Sequence, residues 1–372
     1  MPRRGFVVLI AMVQFVLCLA HLFLYDTWTF SLSGSDGSGS LWFKLAFGFL
    51  SVSFVGASLL AFRFTSASVR VLYTVAAVWA GLLSFLLLGA GFSWIIFAAA
   101  RAAGVDVNFH RTVDLLFGAA VLAGLCGVFN AGWTRVTRIT VPLANLPASW
   151  RGRRAALISD LHLGHVRNGR FLRRMVAKIL NEKPDAIFIA GDLYDGTAID
   201  VRRAAEPLAA LVAPHGVYFV AGNHEQFRDD SNYLDAIAAA GVRVLRNEKL
   251  EVDGLQIAGV PYRSAARAES FASVLRDLRL DPARASILLT HAPDHPQVAE
   301  AAGISLQLAG HTHLGQFIPW TWMVRRIYGQ FAYGLSRVGG MQAFTSSGAG
   351  TWGPPLRLGS RSEIVILEFH PA

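Results

Sequence analysis

Five short segments carry an unusual mixture of side chains: SDLHLG (159–164), GDLYDG (191–196), GNHE (222–225), THAPDHP (290–296) and GHTHLGQ (310–316). Carboxylate oxygen, amide oxygen and imidazole nitrogen are the ligands that hard and borderline divalent cations take. No thiolate stands among them, which argues against a structural zinc site or an iron–sulfur cluster. Taken one at a time, Asp160 reads as a turn or cap, Asp192 after Gly191 as a turn, and His311 or His313 as surface histidines. Taken together, Asp160, His162, Asp192, Asn223, His291, His311 and His313 suffice for two cations, and turns alone do not ask for this mixture.

Each segment follows a short apolar run: 155–159, 186–190, 217–221, 286–290 and 305–309. Further runs of this kind are 242–246 and 255–259, and FLRRMVAKILNE (171–182) has helical periodicity. Continuous apolar runs of this length are expected for strands buried on both faces, so the chain from residue 153 reads as α/β. Ligand sites of such sheets form beyond the carboxyl ends of the strands, where distant segments converge in one crevice.

The ordered signature D-x-H, G-D-x-x-D, G-N-H-E, H and G-H-x-H resembles that of the calcineurin-like metallophosphoesterases over residues 153–370. The resemblance implies a two-sheet sandwich flanked by helices. It implies that Asp160, His162, Asp192 and His313 hold one metal and that Asp192, Asn223, His291 and His311 hold the other, with Asp192 as the bridge. Manganese is the first expectation, and iron, zinc and magnesium stay open. Two cations about 3.5 to 4 Å apart lower the pKa of a shared water, whose hydroxide would attack phosphorus in line. The family match also makes His224 the histidine that faces the substrate and Asp195 its carboxylate partner. His165, His215, His295 and His370 have no place in the signature, although His165 is near enough to Asp160 in sequence to approach a substrate.

The remainder of the chain belongs to a different solvent. Of 372 residues 53% are hydrophobic and 16% charged, against about 25% charged in ordinary soluble domains. Residues 1–150 hold 9 Lys and Arg and 4 Asp and Glu. Four runs without Asp, Glu, Lys or Arg, 5–25, 45–62, 71–100 and 115–134, reach the length that spans hydrocarbon. They predict a four-helix transmembrane region over 1–135, a linker over 136–152 and a catalytic domain over 153–370. The first run is too long for a signal-peptide core, SLSGSDGSGS (31–40) reads as a flexible loop, and Trp94 suits an interfacial anchor. His21, Gln14 and Asn130 are polar groups in or near the spans, expected to serve packing. Arg3, Arg4, Arg63, Arg70, Arg135, Arg138, Arg151, Arg153 and Arg154 fall on one side of a four-span arrangement, and Arg101 and Arg111 on the other. The positive-inside rule then places both termini, and the catalytic domain, in the cytoplasm. Cys18 and Cys126 lie in apolar runs and suggest no disulfide, and the net charge of +9 is weak support for a nucleic-acid partner, which is not expected.

The tail TSSGAGTWGPPLRLGSRSEIVILEF (345–369) resembles that of transmembrane members of the family, with Leu314 standing where that subgroup has glycine. The segment PWTWMVRRIYGQFAYG (319–334) sets aromatics beside Arg325 and Arg326, which either close the sandwich core or form a lipid-facing lip. The resulting expectation is a membrane-tethered phosphoesterase acting on a monoester or diester, with a lipid-linked or nucleotide-diphospho-lipid substrate suggested by family analogy. The alternative is a non-catalytic membrane scaffold or sensor. A transporter is disfavoured by the absence of a mid-span ionisable residue.

Overall fold

Runs of Leu, Ala, Phe and Val without proline leave the N-terminal chain one way to satisfy its backbone away from water, the α-helix. Four form: α1 (Arg3–Ser31), α2 (Leu41–Ala61), α3 (Ala67–Ala102) and α4 (Phe109–Gly132). The computed structural model describes residues 3–32, 41–227 and 230–372, less the side chains of Arg3, Arg4 and Phe6. The loop expected at 31–40 therefore lies, from residue 33 onward, outside the described residues. All four helices are long and apolar enough to cross a membrane.

The chain packs as two units, one comprising the residues up to Phe129 together with Gly353–Leu356, the other the remainder. Inside the helical unit the polar groups find partners. Gln14 Nε2 donates to Ser51 O at 3.0 Å. His21 lies 2.7 Å from Leu17 O through Nδ1, and its Nε2 accepts from Trp79 Nε1 at 2.9 Å. Trp94 donates to Thr27 Oγ1 at 2.9 Å and packs against Phe30, Phe97 and Phe109. Gly81 is bare because Leu356 seats on it: a Cβ there would come within 2.2 Å of Leu356 Cδ1.

The second unit runs β1 (Arg135–Leu143), β2 (Arg154–Ile158), α5 (Gly169–Asn181), β3 (Ala186–Ile189), α6 (Val201–Ala205), β4 (Val217–Phe219), α7 (Ser231–Ala239), β5 (Arg243–Val244), β6 (Glu248–Val252), β7 (Leu255–Gly259), α8 (Tyr262–Ala265), α9 (Ala268–Asp277), β8 (Ser286–Leu289), α10 (Pro296–Ala301), β9 (Leu306–Ala309), α11 (Trp320–Tyr328), β10 (Gly334–Val338), β11 (Met341–Thr345) and β12 (Glu363–Pro371). Two six-stranded mixed sheets result, ordered β1-β12-β2-β3-β4-β5 and β10-β11-β9-β8-β7-β6. Strands β2 to β5 run parallel in the first, and β7, β8, β9 and β11 in the second.

Alternation along each strand sends side chains to two different cores. Leu157, Phe188 and Val220 from the first sheet meet Ile257, Ile287 and Leu308 from the second in a shared layer. Ala156, Ile158, Ile187 and Ile189 face outward onto Phe171, Leu172, Met175 and Ile179 of α5, whose first turn is capped by Asn168 Oδ1 on Arg170 N–H. Ala258 and Leu288 face α9 through Phe271 and Leu275. The sandwich flanked by helices is the architecture expected from the sequence.

The linker expected over 136–152 has a different form. Strand β1 pairs parallel with β12 from Arg135↔Glu363 to Leu143↔Pro371. Its Arg138 and Thr140 are exposed, as suits an edge strand, and the polar residues interrupt the continuous apolar signal of the central strands. Trp150, in the same stretch, is fully buried, donates Nε1–H to Val252 O at 2.8 Å and stacks on His215. Trp150→Ala is expected to destabilise this unit by about 3 to 5 kcal/mol, measured as a lowered thermal midpoint of the detergent-purified protein.

Candidate metal centre

Every sequence-predicted ligand leaves the carboxyl end of a parallel strand: Asp160 and His162 after β2, Asp192 after β3, Asn223 after β4, His291 after β8, and His311 and His313 after β9. The strands are short and buried, so their ends lie at one level and the turns that follow converge. Those turns are tight. Asp160, His162, Asp192, His311 and His313 all have positive φ, between 49° and 71°, a conformation that costs a non-glycine residue about 1 to 2 kcal/mol. Such strain persists where the surroundings over-determine it, characteristically at functional sites.

The side chains form two groups that meet at Asp192. In the first, His162 Nε2 lies 2.9 Å from His313 Nε2, which is 3.5 Å from Asp160 Oδ1. In the second, His291 Nε2 lies 2.9 Å from Asn223 Oδ1, 3.1 Å from His311 Nδ1 and 3.2 Å from Asp192 Oδ2. His311 Nδ1 is 3.0 Å from Asn223 Oδ1. Asp192 Oδ2 also looks toward His162 Nε2, at 3.8 Å. His291 Nδ1 is 2.8 Å from Ala190 O, an arrangement that uses the Nδ1 proton and turns the Nε2 lone pair inward.

This donor set fits metal. Atoms bound at about 2.0 to 2.2 Å to one cation sit roughly 3 to 4 Å from one another, and the spacings of 2.9 to 3.8 Å in the first group and 2.9 to 3.2 Å in the second are of that size. Lone pairs held so close repel unless a cation lies among them. In the metal-free protein a proton takes that part. Burial opposes charge on His291, but the Asp192 and Asp160 carboxylates prevail and raise its pKa to about 10. Burial likewise opposes ionisation of Asp192, but His291, His224 and His162 hold its carboxyl well below the usual range. Burial raises Asp160 to about 6 and lowers His311 to about 3. It also lowers His162 and His313, keeping both neutral as ligation requires.

His224 sits over the junction. Its main-chain N–H donates to Asp192 Oδ1 at 2.9 Å, and its Nε2 is 4.0 Å from Asp192 Oδ2. The resemblance makes Asp195 its carboxylate partner, but the geometry runs through the main chain: His224 Nδ1 is 2.9 Å from Asp195 O. The Asp195 carboxylate instead accepts from Thr197 N and Oγ1, at 2.7 and 2.6 Å. Burial raises its pKa to about 6. His165, buried, lies 3.1 Å from Thr197 Oγ1 through Nδ1, whereas His215 stacks on Trp150 and His370 pairs with Glu368.

Two buried charged residues that sequence reasoning did not single out complete the site. Glu225, inside the GNHE motif, accepts from Asp192 N, Gly222 N and Tyr194 N at 2.9, 2.8 and 3.1 Å. Burial, with Asp192 second, raises it to about 7. Its place after Asn223 and His224 is the one signal available. Arg357, fully buried, lies behind His313, and its tail segment carries no sign of that.

A cavity of about 460 Å³ opens beside Asn223, walled by Gln226, Phe227, Tyr262, Arg263 and Arg267 among others. The Tyr262 ring is 5.6 Å from that of His311, and Phe227 is 4.7 Å from His224. Gly222 has no room for a side chain, because a Cβ would fall 2.1 Å from Asp192 Oδ1. Gly222→Ala is therefore expected to reduce bound metal to below one ion per chain, measured by elemental analysis. Ligands bind metal deprotonated, so cation affinity should fall across the whole range as pH drops, because His291 must release its proton, and more steeply below about 6, where Asp160 also takes one up. Calorimetric titration with Mn²⁺ from pH 8 to 5 reads this directly.

A sequence profile of the calcineurin-like phosphoesterase family matches residues 153–315. An uncharacterized metallophosphoesterase of Campylobacter jejuni is 32% identical over 238 residues, which are 63% of each chain, so the match spans under two thirds of that relative. The transmembrane protein with metallophosphoesterase domain of Bos taurus is 32% identical over 331 residues, covering 81% of this chain and 74% of that one. An uncharacterized metallophosphoesterase of Aquifex aeolicus is 32% identical over 255 residues, 67% of this chain and 96% of the other. With the ligand geometry, these matches establish that the chain belongs to the calcineurin-like metallophosphoesterase family.

Proposed function

We propose that the protein is a membrane-tethered phosphoesterase using two divalent cations. The observation that carries this reading is the convergence of seven ligand side chains on two groups sharing Asp192. Asp160, His162, Asp192 and His313 would hold the first ion, and Asp192, Asn223, His291 and His311 the second. Oxygen and imidazole donors without thiolate suit Mn²⁺, with iron, zinc and magnesium also accommodated. When bound, such ions supply charge for the phosphoryl oxygens and lower the pKa of the attacking water.

The chain's own residues do the rest. His224 Nδ1 is taken up by Asp195 O, so proton exchange with an ester runs through Nε2. Burial lowers its pKa, and the negative charge of a bound phosphate acts in the opposite sense, favouring the protonated ring that donates to the leaving oxygen. Phe227 and Tyr262 offer flat apolar walls for the organic part of the substrate, and Arg263 and Arg267 offer positive charge. Helix α11 exposes Trp320, Trp322, Met323 and Ile327 with Arg325 and Arg326 in its last turn, a composition that suits a lipid headgroup region. An amphiphilic or lipid-linked phosphoester fits these features and the four candidate spans. The arginines flanking those spans favour a cytoplasmic catalytic unit.

Detergent-purified protein loaded with Mn²⁺ is expected to hydrolyse bis-p-nitrophenyl phosphate or p-nitrophenyl phosphate. Chelation should abolish turnover, and Asp192→Asn should lower it by about a thousandfold or more, since the bridging ligand serves both ions. Metal binding without cleavage of either ester under Mn²⁺, Zn²⁺, Fe²⁺ or Mg²⁺ would favour the scaffold reading.

A further inference from the structure

Behind His313 lies a cation that the phosphoesterase reading does not use. Arg357 is fully buried, and its guanidinium is met chiefly by carbonyl oxygens. Nη1 donates to His313 O at 2.8 Å and to Ser360 Oγ at 3.3 Å. Nη2 donates to Ser347 O and Gly350 O at 2.7 Å each, with Gly348 O at 3.4 Å, and lies 3.2 Å from His313 Nδ1. The planar fork thus joins two stretches of chain through fixed directions that a lysine cannot reproduce.

One stretch carries His313, and the other hydrogen-bonds the main chain of Asp160, which the two-cation reading gives to the same cation. The turn that presents His313 is strained, with positive φ at His311, His313, Leu314, Gly315 and Gln316. It is held from the tail side by Arg357 on His313 O, by Gln316 Nε2 donating to Trp352 O at 2.8 Å, and by Ser360 Oγ donating to Gln316 O at 2.5 Å. The other stretch covers Asp160: Ala349 N donates to Ser159 O at 2.9 Å and Gly350 N to Asp160 O at 2.8 Å. The second ligand group, around Asn223, His291 and His311, receives no hydrogen bond from Arg357.

We propose that Arg357 is a positioning residue for one cation, its guanidinium clamping the His313 turn to the Ser347–Gly350 loop so that His313 and Asp160 face the same ion as His162. The inference rests on the two-cation reading above and gives the 345–369 tail a role in it. Groups that hold metal ligands in place typically matter by about 10- to 100-fold in metal affinity.

The test is metal content by elemental analysis, together with Mn²⁺ calorimetry and electron paramagnetic resonance, on the full-length protein in detergent. Wild type should hold two ions with a coupled spin signature. Arg357→Lys should hold about one, with one binding event weakened at least tenfold and the uncoupled spectrum of a single ion. His313→Ala should give the same spectrum, and the double variant should lose nothing further. Ser360→Ala, which removes the bond from Arg357 Nη1 and the bond to Gln316 O but leaves the other guanidinium contacts, should show the same selectivity at smaller size. Two ions of unchanged affinity in Arg357→Lys would overturn the proposal. Loss of both ions, or of the fold, would also overturn it, leaving Arg357 a core residue only. A wild type that binds no pair of ions would defeat the two-cation reading itself, a result distinct from failure of the clamp.

Discussion

A carboxylate removed from water is tolerated only where donors or cations surround it. Asp192 is nearly fully buried, and the arrangement of the site follows from that need. One oxygen takes the His224 N–H, and the other faces His162, His224 and His291. Behind it, Glu225 gathers the main-chain N–H groups of Asp192, Gly222 and Tyr194, tying the turn after β3 to the turn after β4. Two further strands, β8 and β9, must end close by to bring His291 and His311. The two sheets are thus held at a fixed relation by chemistry at their ends as well as by the apolar layer between them.

The ligands were legible because each follows a strand buried on both faces, and such strands write themselves as continuous apolar runs. What the sequence concealed was of three kinds. Strand β1 sits at an edge, where Arg and Thr are the expected occupants, so it reads as a linker. Asp195 turns its carboxylate to Thr197, two residues on, a local turn that a motif shared with relatives does not reveal. Arg357 reaches His313 across 44 residues of sequence, and a single arginine within PPLRLG gives no sign that its head is buried.

Leu314 shows how a departure from the subgroup pattern is absorbed. Where the resemblance to transmembrane members of the family leads to an expectation of glycine, this chain holds a leucine at φ 48°, a conformation glycine adopts freely. Its side chain is buried, and Thr312 Oγ1 accepts its main-chain N–H at 3.1 Å. Packing and that one bond oppose the backbone strain.

The four residues Gly353–Leu356 pack with the helical unit, between two stretches that belong to the other. The polypeptide therefore passes between the units at two places: once within α4, and again as an excursion out and back near the C-terminus. A single proteolytic cut after α4 would sever the covalent tether yet leave Leu356 seated on Gly81, so a nicked protein should remain with the membrane fraction. A water-soluble version of the phosphoesterase unit would require a second alteration, replacement of Pro354, Pro355 and Leu356, since removing the helices alone strips the cover from a leucine that is otherwise fully buried.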